Sequence, residues 1–350
     1  MQSKLHAFLE KMLEDKASDL FITAGSPVCE RRGLDVEPMM ESKLAADQAR
    51  ALVQAVYGMA GRDPGSAADA RGDDDFSFAV PDLARFRANV YRQRGSLSAV
   101  LRAVPFDIPD YRDLGIPEAV MDLAGLQSGL VVVTGAAGSG KSTTQACVVD
   151  RINHTRKRHI VTLEDPIEYL HRNDMSIVSQ REIHLDAASY AEALRSCLRQ
   201  SPDVIYLGEM RDGETIRTAM TAAETGHLVL GTLHTHGAAN TVDRIIDAFP
   251  PEQQHQVRTQ LAMVLDTVVF QQLVQTASGP VAAFEIMKAT SGVRGLIRDA
   301  KTHQLDAAIQ SGQRDGMLSM DASLSELVRR GRATRDEVLP HASSPDRIRT

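Results

Sequence analysis

Tryptophan is missing from this 350-residue chain and aromatic residues make up only 4% of it, so there is little material for a channel that stacks nucleic-acid bases. A positive excess is missing too: the formal net charge of −7 argues against a surface built to neutralise phosphates non-specifically, although a local basic groove would still fit. The three cysteines, Cys29, Cys147 and Cys197, are odd in number, far apart and without a CxxC, which excludes a disulfide scaffold and a zinc ribbon and makes a reducing cytosol the natural compartment. No apolar run approaches the roughly 18 residues that span a bilayer. The opening "MQSKLHAFLEKMLEDKASDLF" reads as an amphipathic helix, not a signal peptide, so any membrane role is expected to pass through a partner.

Hydrophobic residues at 43% and charged residues at 24% are those of an ordinary globular protein, and the length allows two or three domains. Leu5, Leu9, Met12 and Leu13 recur at helical spacing, "SDLFITAG" reads as a short strand closed by a turn, and Ala45 to Met59 reads as helical. Beyond the Gly/Asp-rich "GRDPGSAADARGDDD" come the strand-like "FSFAV", "ARFRANVYRQR" and "SLSAVLRAV", which complete a small α+β domain over 1–104. The proline-bearing "PFDIPDYRDLGIP", 105–117, predicts a linker. From 118 to 290 the apolar runs "GLVVVTG", "HIVTLED", "DVIYLGE" and "HLVLGTL" alternate with helical segments, the pattern of parallel βαβ units buried on both faces. Residues 291–350 turn helical, with a frayed end expected at "SSPDRIRT".

"GAAGSGKST" satisfies G-x-x-x-x-G-K-[ST] between a predicted strand and a predicted helix. Its residues, Gly135, Ala136, Ala137, Gly138, Ser139, Gly140, Lys141, Ser142 and Thr143, are therefore the expected cradle for ATP. Glycines let successive N–H groups turn toward the phosphates, and the helix N-terminus adds the positive end of its dipole. Lys141 would reach the β- and γ-phosphates, the Ser142 hydroxyl would ligate Mg²⁺, and Thr143 would offer a second hydroxyl. The alternative, a glycine-rich turn without a ligand, leaves the offsets of Lys141 and Ser142 unexplained.

Phosphoryl transfer to water needs a positioned water and neutralised oxygens rather than covalent help. "DVIYLGEMRD" delivers Glu209 at the carboxyl edge of a buried strand, where it would polarise the attacking water. "IVTLEDPIE" delivers Glu164 in the same way, as a second acid for water or metal. Each acid taken alone would be read as a solvated loop carboxylate, and Asp165, Glu168 and Asp203 keep that structural reading.

These segments resemble the type IV pilus and type II secretion ATPases, and among them the pilus retraction ATPases. "LEDPIEYLH" is similar to the family's aspartate box, "SPDVIYLGEMRD" to its Walker B box, and "AAETGHLVLGTLHTHGAANTVDRIIDAFP" to its histidine box. "GVRGLIRDAK" resembles the retraction signature A-I-R-N-L-I-R-E, with Gly292 for Ala, Gly295 for Asn and Asp299 for Glu. The resemblance implies a PAS-like N-terminal domain, a RecA-like core, a homohexameric ring, and arginines of the N-terminal domain on the phosphates, for which Arg87, Arg92 and Arg102 match. It also implies an inner-membrane platform protein as partner, a paralogous retraction ATPase as a second one, and a cytoplasmic place at the inner membrane. Three scattered cysteines cannot build the four-cysteine zinc site of the extension ATPases. "SDLFITAG" is nearer the accessory retraction ATPase, whereas "GEMRD" and the short tail are nearer the main one. A motor in which ATP hydrolysis moves the N-terminal domain about the 105–117 linker follows from the resemblance.

Three histidines fall within "TGHLVLGTLHTHG". A metal pair of His234 and His236 lacks a third ligand at a fixed spacing. Beside a phosphate loop, His234 at the strand's end is better read as a γ-phosphate sensor, with His227 in support and His236 as a bystander. Two other function classes are weighed: a nucleotide-binding scaffold with little turnover, against which Lys141, Ser142 and Glu209 speak, and a nucleic-acid translocase, which the acidity disfavours.

Overall fold

The computed structural model describes residues 1–33, 35–63, 72–81, 83–104 and 107–348. The middle of the Gly/Asp-rich stretch, 64–71, and the first two linker residues, 105 and 106, lie outside them. The chain divides into two compact units, one of Met1–Asp107 with Glu168–Leu170, the other of Ile108–Ile167 with His171–Thr350.

In the N-terminal unit, α1 (Gln2–Glu14) precedes β1 (Asp19–Ile22), β2 (Cys29–Arg32) and β3 (Asp35–Pro38); α2 (Ala46–Met59) then leads to β4 (Asp73–Val80), β5 (Ala84–Gln93) and β6 (Ser96–Val104). The six strands form an antiparallel sheet in the order β3-β2-β1-β6-β5-β4. Leu5, Leu9 and Met12 of α1 and Leu52, Val53 and Val56 of α2 share one core with Leu20, Phe86, Val90 and Leu101 of the sheet. Each fully buried side chain of this size contributes roughly 1.5–3 kcal/mol.

The second unit holds α3 (Glu118–Met121), β7 (Gly129–Thr134), α4 (Lys141–Thr155), β8 (His159–Glu164), β9 (Ile177–Glu182), α5 (Tyr190–Cys197), β10 (Val204–Leu207), α6 (Gly213–Glu224) and β11 (Leu228–Leu233). It continues with α7 (Ala238–Asp247), α8 (Pro251–Val264), β12 (Leu265–Thr276), β13 (Gly279–Lys288), α9 (Ser291–Arg298), α10 (Leu305–Ser311), α11 (Met320–Arg329) and α12 (Arg335–Val338). Its seven strands run β13-β12-β7-β11-β10-β8-β9, parallel except for the antiparallel β12–β13 pair. Strand β7 shows why its run reads as continuously apolar: Leu130 and Val132 join the core on one face of the sheet, Val131 and Val133 the core on the other.

Two details depart from the sequence reading. β9 and the long β12–β13 hairpin extend the sheet beyond the four anticipated strands. The C-terminal segment is not frayed through residue 348: the backbone N–H groups of Ser343 and Ser344 donate to Asp321 Oδ1 at 2.8 and 3.3 Å, and Ile348 is buried in a small core with Leu324 and Val338. Arg294, within the altered signature, is committed to backbone carbonyls, donating from Nε to Ala289 and from Nη1 to Ala262 and Met263. It thereby ties the start of α9 to the end of α8.

Asp321 is itself buried, and its Oδ1 is the acceptor for both N–H groups of that terminal segment. Asp321→Ala is expected to cost about 1–3 kcal/mol for the unsatisfied donors. Trypsin cleavage after Arg347 should then precede unfolding of the core, measured by mass spectrometry of the early fragments.

Candidate functional site: a phosphate loop at the carboxyl edge of the sheet

The strand registers decide what meets what. Thr134, the last residue of β7, pairs with Leu233 of β11, so His234 leaves its strand beside Gly135. Leu207 of β10 pairs with Gly231 of β11 and Leu163 of β8, which brings Glu209 and Glu164 out along the same edge. At Gly208 an added Cβ would stand 3.0 Å from Tyr190 Oη, 3.2 Å from the Leu163 carbonyl and 3.3 Å from Glu164 Cα. The glycine lets the end of β10 close on β8 beneath the two acids.

Between β7 and α4 the loop is shaped by what lies behind it. Gly135 has φ +147°, and a Cβ there would fall 2.2 Å from the Gln271 carbonyl oxygen; Gly140, at φ +87°, would place one 2.9 Å from Gln271 Nε2. Gly135 is closed to a side chain by backbone angle and by the Gln271 backbone, Gly140 by its backbone angle. Gly140 caps α4 in the left-handed conformation, leaving the first-turn N–H groups for an anion. Ala136, Ala137 and Gly138 form the exposed tip, while Ser142 and Thr143 are half-buried in the first helical turn. Ser139 Oγ is buried without a hydrogen-bond partner, a polar atom that a phosphate oxygen would satisfy. The glycine-framed loop, the orphan hydroxyl and the adjacent ammonium fit a nucleotide triphosphate.

Lys141 is 7% exposed and its Nζ donates to the carbonyls of Gly135 and Ala136, 2.8 Å each. The same ammonium lies 3.4 Å from His234 Nδ1. An ammonium only donates, so Nδ1 is the acceptor and the ring proton sits on Nε2, the nitrogen 3.2 Å from Glu209 Oε1. The other carboxylate oxygen of Glu209 is 2.7 Å from Arg211 Nε. Burial pushes the Glu209 carboxyl up, but the guanidinium of Arg211 and the His234 imidazole outweigh it and hold the group below the usual carboxylate range. Glu164, also buried, is held by uncharged donors, Thr162 Oγ1 at 2.6 Å and Gln180 Nε2 at 3.1 Å.

Sequence reasoning missed Arg211, Tyr190 and Gln271. Burial, reinforced by Asp165, Glu209 and Glu164, pushes the Tyr190 phenol well above its ordinary range and keeps it protonated among the acids. The loop that carries His234 is braced: Thr134 Oγ1 donates to the Thr235 carbonyl at 2.7 Å, and Thr235 and Thr241 exchange a 2.7 Å hydroxyl contact. Glu285 Oε1 accepts the Ala238 N–H at the start of α7.

Not every expected residue comes to this edge. His227 precedes β11 at the opposite end of the strand, where its Nδ1 lies 2.9 Å from the Ala222 carbonyl, roughly 20 Å of strand away from His234. His236 is turned onto the Phe270 ring, with centroids 4.5 Å apart. Among the described residues no group of three or more His, Cys, Asp or Glu side chains is placed to hold a metal ion. The three arginines belong to the N-terminal unit, where Arg87 and Arg102 are cross-strand partners on one face of the sheet. Arg92 carries the parity of the core-facing Phe86, Ala88 and Val90, so it leaves the end of β5 on the other face. Arg102 is paired with the buried Asp19 at 2.8 Å.

The family model described as type II/IV secretion system protein matches residues 1–331. The chain is 44% identical to the type IV pilus retraction ATPase PilT of Pseudomonas aeruginosa, across 94% of this chain and 95% of that protein. It is 37% identical to the type IV pilus ATPase PilU of the same organism, across 97% and 89%. A crystal structure of the pilus retraction motor PilT with bound ADP superposes with a TM-score of 0.88 at 40% identity, covering 98% of this chain and 97% of that one.

His234→Ala removes the link between Lys141 and Glu209 while leaving the loop backbone intact. Turnover of ATP is expected to fall about 10²-fold or more with the dissociation constant for ATP little changed. Steady-state phosphate release and equilibrium nucleotide titration would separate the two effects.

Proposed function

The chain belongs to the type II/IV secretion system protein family, and from that premise we propose that it is an ATP-hydrolysing motor that drives retraction of type IV pili, the movement behind twitching motility. The observation that carries this reading is the continuous polar chain from Lys141 through His234 to Glu209, laid along the edge of a phosphate loop. A scaffold that only held nucleotide would have no use for a carboxylate braced by an imidazole and a guanidinium beside the phosphates. Identity to PilT above that to PilU, together with the run Gly208 to Asp212, favours the main retraction motor over the accessory one.

In this reading the loop from Gly135 to Thr143 binds the phosphates, with Lys141 freed from the Gly135 and Ala136 carbonyls to neutralise them. Ser142 would hold Mg²⁺, which would supply charge neutralisation to the phosphates. Glu209 is the base that orients and deprotonates the attacking water, Glu164 supports it, and His234 reads the γ-phosphate and passes its state along the braced loop to α7. Arg87 is the arginine best free to serve as a phosphate contact, since it has no ion partner among the described residues. The N-terminal unit is the PAS-like module, the second unit the RecA-like core, and the linker, 105–117, the hinge between them. The working form is a homohexamer in the cytoplasm, held at the inner membrane by a pilus platform protein and sharing its task with a paralogous ATPase. No helix among the described residues is long and apolar enough to cross a membrane, so attachment through a partner suits the chain.

Wild-type protein is expected to hydrolyse ATP, and Glu209→Gln to lose about 10²- to 10⁴-fold in kcat while retaining ATP. If both were equally silent although assembled, the motor reading would fall. Deleting the gene should leave cells with surplus pili and no twitching; too few pili would instead indicate an assembly motor.

A further inference from the structure

Gln271 is 3% exposed on β12, one residue past Phe270, which pairs with Thr134 at the end of β7. It therefore stands where β7 stops and the phosphate loop begins. Three of its polar groups meet the loop or the helix that follows it. The backbone carbonyl closes the space over Gly135, the first loop residue, and the side-chain nitrogen packs over Gly140, which caps the helix. The side-chain oxygen accepts the Thr144 hydroxyl at 2.7 Å, in the first turn of α4. Thr144 is buried as well, at 1%, so this hydrogen bond is shielded from water.

Taking the phosphate-loop reading as given, we propose that Gln271 is a positioning residue for nucleotide binding: with Thr144 it clamps the two ends of the loop in the open-ring conformation that the phosphates need. A glutamine meets the requirement through its length and its two different ends. It reaches from the strand to the helix, accepts from a hydroxyl, and lays its amide nitrogen against Gly140. The backbone of β12 is fixed on both sides, by β7 and by the β13 partner Phe284, so the clamp rests on a rigid support. Loop conformation is thus set by a residue more than 120 positions away in the chain, and both obligatory glycines face it.

The test is a double-mutant cycle with Gln271→Met, which keeps length and burial without the hydrogen bond, and Thr144→Val, which removes the hydroxyl. Equilibrium titration with a fluorescent ATP analogue is expected to show about tenfold weaker binding in each single variant, the scale of one lost buried hydrogen bond. The double variant should be no weaker than either single one, because the two substitutions break the same contact. Thr144→Ser, which restores the donor, should bind like wild type. At saturating ATP, kcat should fall far less than the affinity does. Multiplicative losses in the double variant, or wild-type affinity in Gln271→Met, would overturn the proposal while leaving the motor reading intact. A wild-type chain that bound no nucleotide would overturn both.

Discussion

The whole site hangs on the double pairing of one short strand. β7 is hydrogen-bonded in parallel to β11 on one side and to β12 on the other, and both partners are in register with it at Thr134. The chain that leaves β7 must therefore turn in the gap between His234 and Gln271. That gap explains why Gly135 and Gly140 carry no side chain, why Lys141 folds back onto the Gly135 and Ala136 carbonyls, and why a histidine lies within reach of it. A shift of one residue in the β7–β11 register would turn every side chain of β11 to the other face and carry the His234 loop away from the lysine.

The two acids sit close together yet occupy different electrostatic worlds. Glu209 has a guanidinium on one oxygen and an imidazole N–H on the other, so it stays ionised despite its partial burial. Glu164 accepts from a threonine hydroxyl and a glutamine amide. Bringing a triphosphate into such a place adds negative charge beside both groups. Arg211, whose side chain is largely exposed, and Lys141, which donates to two neutral carbonyls, are the cations nearest to offset it. Glu209 is thus held by charged and polar partners that an arriving nucleotide would disturb.

Sequence alone discloses those parts whose cause is local. The runs that became β7, β8, β10 and β11 are largely apolar because each is buried on both faces, and the glycine-lysine-serine spacing announces the loop they support. The β12–β13 hairpin is not legible in that way. Leu265 begins its strand directly after Val264 ends a helix, and "LAMVLDTVVF" offers no glycine, proline or asparagine to mark the change. Gln271 stayed hidden for the same reason, since nothing near it in sequence hints that it faces Gly135. His227 misled in the other direction: three histidines in thirteen residues look like one site, but a six-residue strand lies between the first and the second. The terminal "SSPDRIRT" reads as loose because its anchor, Asp321, is supplied by a different helix.

The same parity reasoning narrows the arginines. Arg31, Asp19, Arg102 and Arg87 form one cross-strand row over β2, β1, β6 and β5. Two of the three guanidinium groups share one carboxylate, Asp19 engaging Arg102 at 2.8 Å and Arg31 at 3.7 Å. Arg87 is left opposite Arg102 with no carboxylate of its own among the described residues. Like charges placed directly across a ladder destabilise it, so the row carries a small cost that an arriving anion would relieve. Arg92, with the opposite parity, cannot join it. If a phosphate is the anion that the N-terminal unit awaits, Arg87 is the member of the row with the most to gain from meeting it, and Arg102 is the neighbour whose hold on Asp19 would have to loosen for a second contact.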